Sequence, residues 1–371
     1  MRRGRRLSDA FEIFLAVSPG LEPVLAEEAR DAGFDGVAAV PGGVTCQGGW
    51  PEVWRANLEL RGASRVLARF AEFRAFHLAQ LDKRARKLDW AAVLRPDVPV
   101  KVEASCHASR IYHAGAAVQR IEGAITGFGA PLGDGGVTLR ARIDDNLVTL
   151  SVDTSGALLH KRGHKEAVSK APMRENLAAL FLRACGYRGT EPVLDPMCGS
   201  GTFVIEAAEM ALGLQPGRSR GFAFEHLARF DPAAWATLRD RVPGDTGLRF
   251  HGSDRDQGAI RMAAGNAQRA GVDAVASFTA RPVSDLERPD GPPGLVIVNP
   301  PYGGRIGNKK LLYGLYGALG QVLKDRFTGW RVGIVTTEAG LARATGLPFQ
   351  PPGPPVAHGG LKVKLWQTRA L

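Results

Sequence analysis

From Pro192 onward the chain repeats one unit: a short apolar run, a polar or glycine-rich turn, then a segment with helical periodicity. The strand segments are residues 193–195, 248–253, 275–279, 295–298 and 332–336, and the helical segments are about 202–212, 257–270, 311–326 and 339–345. Apolar strands with no polar alternation must be covered on both faces, and helices between successive strands supply that cover. The pattern predicts an α/β fold with a doubly wound, Rossmann-like sheet. In such a sheet a ligand lies beyond the carboxyl ends of the strands, where the strand order reverses. Residues that close these strands are therefore the first candidates for chemistry.

The first 157 residues read differently. A strand at 11–17, the turn Ser18-Pro19-Gly20, helical spacing of Leu21, Val24, Leu25 and Ala29, a strand at 44–46 and a helix at 51–60 make a small α+β unit of ferredoxin-like type. A second α+β unit follows, with strands at 65–70 and 98–105 and helices at 75–88 and 114–126. It closes with a hairpin, 137–143 and 147–153, around Asp144-Asp145-Asn146. The expected organisation is 1–62, 63–157 and 158–371. An insertion at about 213–247, rich in arginine and aromatics, is either an accessory substrate surface or a packed flap.

Composition narrows the function. The 371 residues carry 48 Lys+Arg against 37 Asp+Glu, a formal charge of +11, and such a basic balance favours a polyanionic partner. The basic excess is spread along the chain, so this support is general. Cys46, Cys106, Cys185 and Cys198 form no C-x-x-C pair, which argues against a structural metal and for a reducing compartment. No apolar run approaches the roughly 18 residues of a membrane span. Met1–Arg6 is basic, but the apolar stretch after it contains Glu12, a poor leader sequence. The expectation is a cytoplasmic protein with no membrane and no metal. His77, His107, His113, His226, His251 and His358 read as surface or packing residues.

Four constellations carry chemistry. The first is Asp195-Pro196-Met197-Cys198-Gly199-Ser200-Gly201-Thr202, a strand end, glycine turn and helix start. It is not a P-loop, because no Gly-Lys-Ser/Thr follows. It is not a dinucleotide fingerprint either, because Val204 stands where the third small residue belongs. Asp195 would repel a pyrophosphate. The same carboxylate suits a ligand with an ammonium and a sulfonium, S-adenosylmethionine. The second is Asp254-Arg255-Asp256 at the next strand end. Asp254 can accept both ribose hydroxyls, and Asp256 is the better helix cap. The gap from Gly201 to Asp254 is far longer than the usual spacing of about 20 residues, the excess being the insertion. The third is Asp285, which reads equally as an acceptor for an adenine amine or as a solvated turn residue.

The fourth is the most specific: Asn299-Pro300-Pro301-Tyr302 directly after an apolar strand. The prolines restrict the backbone and free carbonyls from the ladder. The Asn299 side-chain oxygen and the Pro300 carbonyl can both accept from an exocyclic amine, and Tyr302 offers a face for a base. Holding both N–H groups of an aromatic amine aims its lone pair, so catalysis here is positioning. Cys198 lacks a base and reads as packing. Lys309 and Lys310 beside this loop read equally as phosphate contacts or as solvated residues.

Taken together the chain resembles the THUMP-domain class I S-adenosylmethionine-dependent RNA methyltransferases, within them the large-subunit ribosomal RNA guanine-N2 methyltransferases. The resemblance runs through Gly20-Leu21-Glu22, Asn57-Leu58 with Arg61 and Ser64-Arg65-Val66-Leu67, Leu159-His160-Lys161-Arg162-Gly163 and Ala171-Pro172-Met173-Arg174-Glu175-Asn176-Leu177. It continues through 195–202, Phe222-Ala223-Phe224-Glu225 with Phe230-Asp231, and 299–303. It implies a ferredoxin-like piece and a THUMP RNA-binding domain ahead of the catalytic domain. Asp195, Pro196, Cys198, Gly199, Ser200, Gly201, Thr202, Asp254, Arg255 and Asp285, with Asn299, would hold S-adenosylmethionine. Asn299, Pro300, Pro301 and Tyr302 would hold the target base. The implied partner is RNA, in the first place large-subunit ribosomal RNA. Transfer RNA, an adenine-N6 target in RNA or DNA, and a non-catalytic RNA-binding assembly role are the alternatives. Two departures stand out. His164-Lys165 follows Gly163 where the family usually has an aromatic residue and arginine, and longer members carry a second methyltransferase domain that these residues do not hold.

Overall fold

The computed structural model describes residues 10–166, 173–302 and 309–371. The basic arm at 1–6, Ala171-Pro172, Gly303 and the Lys309 side chain lie outside the described residues. The chain forms two compact units. One holds the residues up to Val17, Ala26–Leu159 and Arg220–Asp240, and the other holds Ser18–Leu25, His160–Ser219 and Arg241–Leu371. Among the described residues no helix is long and apolar enough to cross a membrane.

Up to residue 159 the elements are β1 (Phe11–Ala16), α1 (Glu22–Asp31), β2 (Asp35–Val40), β3 (Gly43–Gly48), α2 (Trp50–Glu59), β4 (Arg65–Arg74), α3 (Leu78–Ala85), β5 (Val100–His107), α4 (Ala114–Phe128), β6 (Val137–Asp144) and β7 (Leu147–Asp153). The strands form one sheet in the order β2-β3-β1-β4-β7-β6-β5. The first four follow the ferredoxin-like βαββαβ path. The ten-residue β4 carries the sheet onward. It pairs with β1 through Ala68↔Ile13 and with β7 from Leu67↔Asp153 to Arg74↔Leu147, with a bulge between Arg69 and Ala71. Blocks 1–62 and 63–157 thus hang on a single sheet. Strand β2 is absent from the sequence reading because it is an outer, largely exposed strand with no apolar alternation.

The motif residues of this unit serve its interior. Buried Asn57 donates to Val53 O (2.9 Å) and Thr154 Oγ1 (2.9 Å), and Ser155 Oγ donates to Asn57 Oδ1 (2.6 Å). Buried Glu28 accepts from the backbone N–H groups of Arg61 (2.7 Å) and Gly62 (2.9 Å). Such satisfied buried polar groups tie α2 to the turn after β7, and α1 to the chain that leaves α2. His77 and His113 cap α3 and α4.

The aromatic part of the insertion is a packed flap. Phe222 stacks on Phe224 (5.2 Å between centroids), Trp235 meets Phe224 edge-on (4.9 Å), and Trp54 lies 6.3 Å from Phe224. Phe224 N–H donates to Thr154 O and Ala228 N–H to Val93 O, both at 3.0 Å. The guanidinium of Arg220 donates to Leu158 O (2.8 Å) and Ala157 O (2.6 Å). Residues 220–240 therefore pack onto the N-terminal unit through buried Phe222, Ala223, Phe224, Leu227 and Trp235.

The remaining elements are α5 (Glu175–Ala184), β8 (Val193–Asp195), α6 (Thr202–Ala211), α7 (Pro232–Arg239, within the flap), β9 (Phe250–Asp254), α8 (Gln257–Ala270), β10 (Ala276–Ala280), β11 (Leu295–Val298), α9 (Lys309–Arg326), β12 (Arg331–Thr336), α10 (Ala339–Ala344), β13 (Val356–His358) and β14 (Leu361–Gln367). The second sheet runs β10-β9-β8-β11-β12-β14-β13. Strands β8 to β12 are parallel, and β14 returns antiparallel to β12. This is the doubly wound architecture expected from the strand pattern. The order reverses at β8, which has β9 on one side and β11 on the other. All four side chains of β11 are fully buried, as its unbroken apolar run requires.

Candidate active site

Strands β8, β9 and β11 end together at the reversal point. Asp195 is level with Gly252 of β9, and Leu194 with Val296 of β11. Asn299 therefore stands two residues beyond the level of Asp195, about 7 Å further along the strand direction. This crevice gathers the end residues of three strands.

The 195–202 loop is shaped by contacts on every side. Gly199 and Gly201 have φ of 52° and 84°, the left-handed region that glycine adopts without strain. A Cβ on Gly201 would also lie 3.1 Å from Ala263 and from the Phe278 ring. Cys198 N–H donates to Ser253 O (2.9 Å) and Gly201 N–H to Cys198 O (2.8 Å). Asp195 is buried, and its carboxylate accepts from Met197 N–H at 3.0 Å. Burial, with the charge of Asp254 adding to it, pushes the Asp195 carboxyl up to about 8. Burial first, then the charges of Asp195 and Asp254, push the Cys198 thiol far upward. It stays protonated, as a packing residue would.

Asp254 accepts Gly199 N–H on one carboxylate oxygen (3.1 Å) and Asp256 N–H on the other (3.0 Å), leaving lone pairs on each for further donors. Asp256 caps α8 through Gly258 N–H at 2.7 Å, the division of labour expected of the pair. Arg255 is exposed beside them. Asp285 lies in the turn after β10, exposed, and accepts from Ser284 Oγ at 3.0 Å.

At the end of β11, Pro300 is buried, while Pro301 and Tyr302 are half-buried, Tyr302 against the core between α9, β11 and β12. The Asn299 side-chain oxygen is buried and has no hydrogen-bond partner among the described residues, and neither has the Ser253 hydroxyl at the end of β9. Orphaned buried polar atoms are costly unless a ligand completes them. Both lie at the ligand-facing strand ends. A buried carboxyl awaiting a cation, a second carboxylate with free lone pairs and an orphaned carbonyl oxygen fit an amino-acid nucleoside with a cationic head, and next to it an amine donor.

Three supports of this crevice were not visible as a local motif. Lys165 Nζ donates to Thr202 Oγ1 (2.9 Å) and Met173 O (2.9 Å) and pairs with buried Glu175 at 3.2 Å. The residue that departs from the family pattern thus anchors the start of α6. Asn266 Nδ2 on α8 donates to Ser200 O at 3.1 Å. Tyr316 on α9 places its hydroxyl 3.4 Å from Pro301 O and 3.2 Å from Thr336 Oγ1. Each contact joins separate elements of the fold, so no contiguous motif marked it.

Known proteins resemble this chain in sequence and fold. Residues 162–348 match the RMKL-like methyltransferase domain and residues 12–67 the RlmL ferredoxin-like domain. An RNA methyltransferase candidate of Synechocystis sp., slr0064, is 31% identical over 95% of this chain and 95% of its own. The ribosomal RNA large subunit methyltransferase K/L of Marinobacter nauticus is 34% identical over 90% of this chain and 49% of its own. The chain thus spans about half the length of that relative. The structure of SMU.472, a methyltransferase candidate complexed with SAH, superposes with a TM-score of 0.85 at 27% identity, covering 98% of this chain and 99% of that one.

Proposed function

Since the chain belongs to the RMKL-like methyltransferase family, it is an S-adenosylmethionine-dependent methyltransferase, and we propose that its substrate is the exocyclic N2 amine of a guanine in large-subunit ribosomal RNA. The observation that carries this reading is the buried Asn299 side-chain oxygen beside the glycine loop, left without a partner among the described residues. The names of the K/L relatives support the choice of RNA.

The bound cofactor supplies an electrophilic methyl group. Asp195, the backbone of 196–202 and Asp254 hold its amino-acid end and ribose, and Asp285 takes its adenine amine. Asn299 Oδ1 and the Pro300 carbonyl accept the two N–H groups of the target amine, which turns its lone pair toward the donor side. Tyr302 stacks on the target base, which leaves its helix or loop to enter the crevice. The rigid Pro-Pro backbone loses little entropy on binding. No strong base is needed, since orientation of a weak nucleophile carries the rate. The α+β block at 63–157 acts as a THUMP-type module that positions RNA by shape and phosphate contacts, in a cytoplasmic setting.

Mass spectrometry of RNA from a strain lacking the gene tests this reading. One N2-methylguanosine should disappear from the large ribosomal RNA and return on complementation. Loss of that nucleoside from transfer RNA, or loss of N6-methyladenosine, overturns the substrate and leaves the reaction class in place.

A further inference from the structure

The first turns of α9 lie at the same sheet edge as the Asn299–Tyr302 loop. Tyr316 shows this: it is fully buried, and its hydroxyl reaches both Pro301 O and Thr336 Oγ1, the latter on the last residue of β12. Tyr313 is three residues earlier, on the same side and one turn nearer the helix start. It is nevertheless 44% exposed, and its neighbour Leu311 is 66% exposed, whereas Leu312 between them is buried in the core.

Tyr313 also has a built seat. Gly340 is the second residue of α10, just past the end of β12, and a Cβ there would lie 2.5 Å from the Tyr313 hydroxyl oxygen. The ring is thus laid across the start of α10 at the rim of the crevice. Exposed Lys310 and Arg343 stand three residues from Tyr313 and Gly340 on their respective helices, placing positive charge on the same rim.

We propose that Tyr313 is a stacking platform for the nucleotide next to the methylated base, an inference that rests on the RNA reading above. When a base leaves its stack, its neighbour loses a stacking partner. An aromatic ring at the rim restores one, whatever base stands there. Tyrosine does this with little loss of side-chain freedom, and the flanking cations suit the phosphates on either side. A protein partner seated on this rim would cover the entrance that substrate must use. The arrangement gives the crevice two aromatic contacts, Tyr302 for the target base and Tyr313 for its neighbour.

The test compares wild type with Tyr313→Ala, Tyr313→Phe and Gly340→Ala. The binding of a fluorescein-labelled RNA hairpin with an unpaired guanine is read by anisotropy, methyl transfer to the same RNA by label, and S-adenosylmethionine affinity by calorimetry. Tyr313→Ala should raise the RNA Kd and KM about 10-fold, with cofactor affinity changed by no more than about two-fold. Tyr313→Phe should behave as wild type. Gly340→Ala, whose added methyl displaces the ring, should fall between. Equal RNA affinity in wild type and Tyr313→Ala overturns the proposal, whichever nucleoside carries the label. A parallel loss of cofactor affinity overturns it too, and marks Tyr313 as a structural support. A labelled product other than N2-methylguanosine overturns only the substrate reading, since stacking does not depend on which base is methylated.

Discussion

Replacing Asp195 by asparagine keeps a buried side chain of the same shape and an acceptor for Met197 N–H, and removes the charge. In the folded chain burial raises this carboxyl from its ordinary 3.8 to about 8. The unfolded chain therefore ionises first, while the folded chain holds the proton until about pH 8. Stability from the neutral form is complete below the ordinary value and is lost as pH rises toward 8. The slope is about 1.4 kcal/mol per pH unit, so roughly 4 kcal/mol is gone by pH 7.

Expressed as melting temperature, a loss of this size is roughly 10 °C for a unit this large. The Asp195→Asn protein is free of that titration, so it should match wild type near pH 4 and become progressively more stable than wild type up to pH 8. Thermal unfolding of both proteins without cofactor, from pH 4 to 8, measures the difference, in which the other titrating groups cancel. Added S-adenosylmethionine should then raise the melting temperature of wild type more than that of the variant, because only the wild-type carboxyl can give up its proton and pair with the bound ammonium. Parallel curves across the whole range would refute the burial argument, and equal stabilisation by cofactor would refute the role given to Asp195.

Substitutions at three further residues probe the crevice. Asn299→Ala should abolish methyl transfer while leaving cofactor affinity nearly unchanged; full activity in a transfer assay would remove the amine site from this loop. Lys165→Met strands buried Glu175 and frees Thr202, so it should destabilise the protein by about 3 kcal/mol and raise the cofactor KM, with Lys165→Arg restoring much of both, as read by denaturant melts and initial rates. Tyr316→Phe removes the hydroxyl near Pro301 O, and should lower kcat several-fold with little change in cofactor KM. An unchanged kcat would show that the loop is held by its prolines alone.

Much of the fold of the second unit was legible because its strand ends and turns are written in contiguous residues. Asp195 closes an apolar strand and opens a glycine turn, and Asn299 follows another and opens a proline pair, so strand end and turn are read in one glance. Asp256 as the cap of α8 followed from its place one residue before the helix. What stayed hidden is non-local. Lys165 finds Thr202, and Asn266 finds Ser200, only once α6 and α8 are packed. The flap at 220–240 could be read as a surface or as packing because its arginines and aromatics carry no periodicity, and it is the packing of Phe224 and Trp235 around Trp54 that decides. Strand β2 has almost no buried face and so wrote no alternation into the sequence. For Asp285, exposed and bonded to Ser284, both readings of the sequence rest on the same turn geometry.

The role proposed for the Asn299–Tyr302 loop is to present a guanine amine to S-adenosylmethionine. Its most direct test is transfer of tritium from the labelled cofactor into ribosomal RNA from a strain lacking the gene, followed by nucleoside analysis, for wild type and Asn299→Ala side by side. Labelled N2-methylguanosine should appear in the large ribosomal RNA with wild type and not with the variant. Label in N6-methyladenosine, or equal label with both proteins, would contradict it.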